Sequence, residues 1–176
     1  MAVYTCFEST NMASTHYAKR IFDAVCDTPV ENGTFGYLDS VETEGGVIYK
    51  FVAGTKKGCE VVVADQPAWT EDTSRMTNQR KDKFVIKAGV PFRARVVAKN
   101  DEFALSTEGF VGTPEVDKYV SINANGKLEV ADAPVDGAAM VGKIMRKRQI
   151  GSTLVTGVRT YGYARMMYTV KAESLA

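Results

Sequence analysis

The sequence predicts a mainly β fold of the α+β class, an antiparallel β-barrel or sandwich with an N-terminal helix. Short apolar segments recur along the chain and are separated by turns that contain glycine. This spacing is typical of β domains rather than of repeated β-α-β units. In addition, one segment near the middle of the chain shows the strand pattern twice, on either side of Asn125-Gly126.

That segment predicts a β-hairpin whose register can be derived. Apolar and polar residues alternate on both sides of the turn, which is the period-2 pattern of half-buried strands. A two-residue turn would pair Ile122 with Glu129 and would place the apolar residues of the two strands on opposite faces. A three-residue loop instead pairs Ile122 with Leu128, and Val120 with Val130. We therefore expect the three-residue loop.

The three-residue loop also places Gly126 where the backbone needs a positive φ, which glycine adopts without strain. Residues 141–145 predict a third strand that returns after the loop 134–139. Together the three strands form a small antiparallel β unit, and nothing in that unit has a catalytic pattern.

An N-terminal helix is predicted over residues 10–26. Ser9 or Thr10 could cap its start, and Pro29 disfavours helix just beyond its end. Residues 2–7, before the helix, predict a short strand or an arm. Five apolar residues fall at helical spacing: Ala18, Ile21, Phe22, Val25 and Cys26.

Further strands are predicted between the turns. Their residues are rich in Val, Ile, Phe and Tyr, which favour strands. The predicted strands comprise residues 34–38, 47–52, 60–64, 83–87, 92–98, 102–106, 153–156 and 159–170.

A chain of 176 residues with 45% hydrophobic residues can bury a core of its own. We divide it into an N-terminal part, 1–58, with an arm, a helix and the first strands, and a β domain, 59–176; together they form one compact unit.

No apolar run approaches the ~20 residues of a membrane span, and no signal peptide is expected. Cys6, Cys26 and Cys59 fit no zinc or redox spacing. We expect reduced thiols that pack in the interior of a protein made in a cytosol.

Charge is distributed unevenly along the chain, although the net charge is only +1. The net charge is −4 over residues 1–70, +5 over 71–100, −6 over 101–140 and +7 over 141–172. Such blocks are either solvated faces or complementary surfaces between neighbouring copies.

The residue pattern predicts no catalytic, cofactor or metal site. His16 is the single histidine, and a surface or packing role fits its place in the predicted helix. No glycine-rich phosphate loop is present, and the acidic pairs Asp23/Asp27 and Glu71/Asp72 lack further ligands. We therefore expect that the protein is not an enzyme.

Residues 65–82 interrupt the strand pattern with a polar loop, and loops of this length often bind partners. Trp69, the single tryptophan, would either close one end of the core or lie in an interface. The interface residues that we predict are Trp69, Arg146, Lys147, Arg148, Tyr161 and Tyr163.

The C-terminal third also fits an alternative function, that of an oligonucleotide-binding β-barrel module. Such barrels stack bases on aromatic rings and neutralise phosphates with cations. Residues 146–148 are basic, and tyrosines follow nearby in the sequence. However, the acidic block 101–140 would repel a polyanion.

Several motifs in the central and C-terminal parts of the chain follow one another in a recognisable order. They are residues 60–69, 88–95, 100–106, 117–122, 125–128 and 141–145. Each alone is a β-turn with a strand, so the signal lies in their joint order. In this order residues 59–171 resemble the head decoration, or capsid cement, proteins of tailed bacteriophages. Asn100 stands where that family more often has glycine.

The resemblance implies a structural virion protein that is made in the bacterial host cytoplasm and binds the outer surface of the capsid. Its partners would be the major capsid protein and copies of itself, often as a trimer. The resemblance implies no cofactor, no membrane and no direct contact with nucleic acid. A protein that binds only the assembled shell stabilises that shell by mass action.

Overall fold

The computed structural model describes residues 3–17, 20–41, 47–68, 80–156 and 159–175, with the backbone alone for residues 152–156 and 159–163. These ranges are mainly strand and contain one α-helix, so the predicted β fold with an N-terminal helix is confirmed. The elements are β1 (Phe7–Asn11), α1 (Ala13–His16), β2 (Ile21–Val25), β3 (Phe35–Val41), β4 (Ile48–Ala53), β5 (Val62–Ala64), β6 (Phe92–Val96), β7 (Glu102–Ser106), β8 (Phe110–Val111), β9 (Tyr119–Ile122), β10 (Leu128–Ala131), β11 (Met140–Thr156) and β12 (Arg159–Leu175). Short 3-10 helices lie at Lys81–Lys83 and Thr107–Gly109.

Five strands close into a barrel in the order β2-β4-β3-β5-β6. β2 and β4 are parallel, and the other neighbours are antiparallel. β6 closes the barrel by pairing with β2, where Phe22 faces Ala94. Phe51, Val62 and Phe92 are among the buried residues of the barrel core. Closure removes the free edges that an open sheet of these strands would expose.

The other seven strands form one sheet in the order β1-β7-β12-β11-β9-β10-β8. Neighbouring strands are antiparallel except β8 and β10, which are parallel. β1 and β8 are therefore the outer strands of this sheet.

β5 joins the cores of the barrel and the sheet. Val62 and Ala64 belong to the barrel core, whereas Val61 and Val63 belong to the core of the seven-stranded sheet, together with Phe103. This alternation is the period of two that a strand with both faces buried requires. Burying each large apolar side chain stabilises the fold by ~1.5–3 kcal/mol, so both faces of β5 contribute.

The hairpin register derived from the sequence is confirmed. Ile122 pairs with Leu128 and Val120 with Val130. Gly126 has a φ of 74°, as the three-residue loop requires. β11 then pairs with β9 as the third strand of the unit.

The predicted extent of the N-terminal helix is wrong. α1 has four residues with Met12 as its N-cap, so neither Ser9 nor Thr10 caps it. Residues Ile21–Val25 form β2, which pairs with strands on both sides. Barrel closure thus overrides a helical spacing, and the β-branched and aromatic residues of this segment also favour strand. Within the described ranges, no helix is long and apolar enough to cross a membrane.

A second prediction, the strand over residues 83–87, is also wrong. Residues Lys81–Lys83 form a 3-10 helix, and Ile86 makes one isolated antiparallel bridge with Val30. The predicted strands 153–156 and 159–170 lie within the longer β11 and β12. Asn100 has a φ of 69°, a conformation that asparagine tolerates better than most residues.

The division of the chain at residue 58 falls between β4 and β5, which are both strands of the closed barrel. The barrel therefore takes strands from both sides of that division.

Candidate functional site

β11 and β12 form a hairpin that extends beyond the neighbouring strands of the sheet. The hairpin pairing continues to Thr156 and Arg159. β9 lies beside β11 only at residues 141–143, and β7 lies beside β12 only at residues 167–171. The far part of the hairpin therefore extends past the sheet.

We call this far part the arm; it comprises residues 149–156 of β11 and 159–166 of β12. Within the described part of the chain, its two strands pair only with each other. Eight residues at ~3.3 Å per residue give the arm a length of ~26 Å. An isolated two-stranded ribbon is marginally stable in water, and its free edges expose backbone donors and acceptors. The arm is therefore the candidate binding element.

Three consecutive cations lie at the root of the arm, directly after a β-bulge at Met145. All three are exposed. Arg146 Nε donates a hydrogen bond to Thr169 Oγ1 at 3.2 Å. The Arg148 guanidinium forms an ion pair with Glu8 of β1. Two of the three basic residues are thus held in place by other strands while they remain accessible.

The arm is anchored at its base by a buried carboxylate. The side chain of Asp82 is fully buried. Arg80 donates two hydrogen bonds to it, at 2.9 and 2.7 Å, and Arg165 donates a third from the arm at 3.0 Å. Lys81 Nζ lies 3.4 Å from Glu8 Oε1. These contacts fix the 3-10 helix Lys81–Lys83 between β1 and the arm.

Two pKa values at this anchor depart from their usual range. Burial alone would raise the pKa of Asp82, but the hydrogen bond and charge of Arg80 and the charge of Arg165 outweigh it and lower that pKa. Burial, with the charges of Asp82 and Glu108, raises the pKa of the Cys6 thiol to about 11. Asp82 is therefore ionised at neutral pH, and Cys6 carries the unreactive thiol rather than a thiolate.

Arg165 also approaches a second carboxylate. Its Nε lies 4.0 Å from Glu108 Oε1, which is too long for a hydrogen bond. Arg165 Nε and Glu108 Oε2 are both buried without a hydrogen-bond partner. Asp82 is therefore the carboxylate that holds Arg165, while Glu108 adds attraction through its charge alone.

A cleft of about 420 Å³ lies between β1 and the barrel. Arg95 Nε lies 2.5 Å from Asp65 Oδ2 on its wall, and the ion pair between Lys81 and Glu8 also lines it. Among the described residues, no group of His, Cys, Asp and Glu could hold a metal ion. Lys81 with Glu8, and Arg95 with Asp65, are thus two ion pairs that we find on the wall of this cleft.

The predicted interface residues fall in three places. Trp69 lies outside the described residues. Tyr161 and Tyr163 lie on the β12 strand of the arm, and their side chains also lie outside what the structure describes. Residues 146–148 lie at the arm root. His16, considered for catalysis, is the exposed last residue of α1.

The anchor around Asp82 was not predicted from the sequence. Arg80 is close to Asp82 in the sequence, but Glu8 and Arg165 come from distant parts of the chain. One local signal exists, because Asp82 is the single acidic residue within the run Arg80-Lys81-Asp82-Lys83. An acid flanked by cations in this way is well placed to form ion pairs.

No family model and no solved structure matches this chain. Among curated proteins, it is similar to a protein of Bradyrhizobium diazoefficiens named glycerol-3-phosphate dehydrogenase (NAD(P)+), with 21% identity over 158 residues. The match covers 90% of this chain but only 41% of that relative. A likeness of this level does not show to which family the chain belongs.

Proposed function

We propose that this protein is a structural, non-enzymatic component of a tailed-phage virion that binds the outer surface of the capsid and stabilises the shell. The proposal places it at the capsid surface, with the major capsid protein and copies of itself as partners. It is supported by the resemblance of residues 59–171 to head decoration proteins and by the form of the arm.

The arm is the observation that carries the proposal. It projects ~26 Å beyond the sheet at ~3.3 Å per residue, and no other described strand covers its edges. The Asp82 anchor fixes its base, which lowers the entropy lost when the arm binds. An anchored ribbon of this kind is suited to add strands to, or to pack across, adjoining protein surfaces.

The motifs behind the resemblance have a separate role. Phe103, Val120, Leu128 and Ile144 are buried in the core of the seven-stranded sheet. These motif residues therefore stabilise the sheet that carries the arm, and we assign contact with the shell to the arm itself.

Stabilisation of the shell would follow from linkage. A ligand that binds the assembled shell but not its separated subunits stabilises assembly by RT ln(1 + [L]/Kd), about 2.7 kcal/mol per site at 100-fold excess over Kd. Many occupied sites together would make the shell resist heat and low salt.

The test is co-sedimentation with purified expanded capsids, using the intact chain and a variant with a shortened arm. Ile150 and Arg165 are cross-strand partners, so an Asn-Gly turn that replaces residues 151–164 can join them and retain Arg165. Gly137→Ala is the surface control, since nothing lies within 4 Å of its added Cβ.

We expect the intact chain and the control to sediment with capsids and to raise the temperature at which the capsids open. The shortened variant should bind at least ~10-fold more weakly, a loss of ~1.4 kcal/mol. If the intact chain does not bind capsids, the proposed function is wrong. Equal binding by the shortened variant would show that the arm is not the contact.

The exposed cations at residues 146–148 favour a second candidate function, nucleic-acid binding. Co-sedimentation with free DNA across a salt series distinguishes the two. A nucleic-acid binder loses affinity steeply with salt, in proportion to the phosphates it contacts. Tight DNA binding with such a slope, and no capsid binding, would support the second candidate.

The similarity to a dehydrogenase raises the question of an enzymatic role. Dinucleotide-binding domains hold the pyrophosphate with a Gly-x-Gly-x-x-Gly turn between a strand and a helix, and this sequence contains no such pattern. The match therefore identifies no cofactor-binding residue here. Glycerol-3-phosphate-dependent reduction of NAD+ or NADP+ by the purified chain would contradict the non-enzymatic proposal.

A further inference from the structure

The edge of β11 carries an acidic group and a basic group side by side. The turn before β9 lies against β11 through two backbone hydrogen bonds: Asp117 donates to the Ile144 carbonyl at 2.8 Å, and Ile144 donates to the Lys118 carbonyl at 2.9 Å. Met145 follows at the β-bulge, and the three cations follow Met145. Along this edge the turn that contains Asp117 therefore comes first, the exposed Met145 comes next, and the cations of residues 146–148 follow.

We call residues 115–117 the acidic turn and residues 146–148 the basic triplet. The carboxylate side chains of Glu115 and Asp117 are 61% and 80% exposed, even though each contacts a lysine. Met145, between the two groups, is 47% exposed, and Val116, which lies between the two carboxylates of the acidic turn, is 40% exposed. The edge thus presents an apolar centre with carboxylates on one side and cations on the other.

Part of the basic triplet is available to a partner. Within the described part of the chain, neither Arg146 nor Lys147 forms an ion pair. The acidic turn is adjacent to the triplet, yet its Asp117 contacts Lys143 instead, at 3.0 Å. The cations are therefore not neutralised by the carboxylates beside them.

Such a surface is complementary to itself. A two-fold rotation about its apolar centre brings the acid of one copy onto the base of the other, and the base onto the acid. We propose that two copies of this chain associate across this edge, with the two-fold axis close to Met145 and with two reciprocal contacts between acidic turn and basic triplet. Met145 of both copies forms the apolar centre, Val116 of each acidic turn adds apolar surface beside it, and the charges form the rim.

This contact also covers part of a free strand edge, since the hydrogen bonds of β11 to β9 and to the turn before it end at Ile144. Covering such edges is a common means of avoiding uncontrolled association. The proposed contact between two copies does not depend on capsid binding. It gives a dimer or another even-numbered assembly, which differs from the trimer that the family resemblance implies.

Charge reversal in two separate variants tests the proposal. The first variant is Arg146→Glu with Lys147→Glu, which leaves Arg148 to its ion pair with Glu8. The second is Glu115→Lys with Asp117→Asn, because Asp117 has a φ of 72° and asparagine tolerates that conformation. Circular dichroism and thermal unfolding check that both variants are folded.

Sedimentation equilibrium at low salt should show a dimer for the wild type. Each variant alone should dimerise at least tenfold more weakly, because like charges then face each other. An equimolar mixture should regain the dimer, since both contacts pair opposite charges again. A monomeric wild type at ~100 µM, unchanged dimerisation of the single variants, or no recovery on mixing would overturn the proposal.

Cross-linking locates the axis independently of charge. Met145→Cys should form a disulfide-linked dimer under mild oxidation, since the two copies of residue 145 meet at the axis. Met166→Cys is the matched control, because Met166 is 36% exposed but lies on β12, away from the axis. The wild type measures the background of the native cysteines. Equal cross-linking of both variants would contradict the two-fold contact at Met145.

Discussion

The Phe35 amide donates a hydrogen bond to the Gly126 carbonyl at 2.8 Å, and this contact joins the barrel to the hairpin of the seven-stranded sheet. The Phe35 carbonyl in turn accepts a hydrogen bond from the Gly54 amide at 3.0 Å. The side chain of Phe35 is fully buried in the core shared with Phe103. The loop of the hairpin is therefore a joint between the two parts of the fold as well as a turn.

Gly126→Ala should strongly destabilise the protein. The residue has a positive φ, and an added Cβ would overlap the Phe35 carbonyl oxygen and lie 2.8 Å from Thr34 Cγ2. We expect a loss of at least ~3 kcal/mol in the free energy of unfolding, measured by urea denaturation.

Gly137→Ala is the matched control for this prediction. Gly137 has the same φ of 74°, but nothing lies within 4 Å of its added Cβ. It should therefore lose only the ~1 kcal/mol of backbone strain. Equal losses at the two positions would show that the contact with Phe35 does not matter for stability.

Asp82→Asn should destabilise the anchor of the arm. The substitution removes the buried charge that binds Arg80 and Arg165, and breaking a buried ion pair costs on the order of 3 kcal/mol. Urea denaturation measures the loss, and faster hydrogen exchange in the arm would accompany it. Asp132→Asn, at a side chain that is 91% exposed, is the control and should change stability little. Equal losses of unfolding free energy in both variants would show that the anchor does not contribute to stability.

The stability contributed by Asp82 should depend on pH. Its pKa is lowered in the folded protein from the usual 3.8, so this contribution is fully present above the unfolded pKa and is lost as pH falls through the folded pKa. The difference in unfolding free energy between wild type and Asp82→Asn should therefore be constant from about pH 5 to 7 and should shrink below about pH 4. A difference that stays constant down to pH 2 would contradict the lowered pKa.

Cys6 should be protected from thiol reagents in the folded protein. It is 1% exposed, and its pKa of about 11 leaves little thiolate at pH 8. Cys26 and Cys59 are partly exposed, so a colorimetric thiol assay should count two reactive thiols before unfolding and three after it. Rapid reaction of all three thiols in the native state would show that the segment around Cys6 opens easily.

The hairpin register could be derived from the sequence because a strand has a period of two and the loop length decides which residues share a face. The segment Ile21–Val25 could not be assigned in this way, because Ile21, Phe22 and Val25 fall at helical spacing. Pairing with β4 and β6, which lie far away in the sequence, decides for the strand.

The candidate site was predictable only in part. The basic residues 146–148 are consecutive and were assigned to a surface from the sequence alone. The Asp82 anchor unites residues 82 and 165, which no local pattern connects. The length of the arm was also missed, because separate short strands were predicted at residues 141–145 and 153–156, whereas β11 continues through Gly151 with a φ of 71°.

The most direct measurement of the central proposal is an electron cryomicroscopy reconstruction of capsids incubated with the purified protein. We expect additional density on the outer face of the shell, with the arm, residues 149–156 and 159–166, in contact with capsid subunits. Capsids incubated with the shortened-arm variant should lack that density. A reconstruction without added density, or one in which the bound protein holds its arm away from the shell, would contradict the proposal.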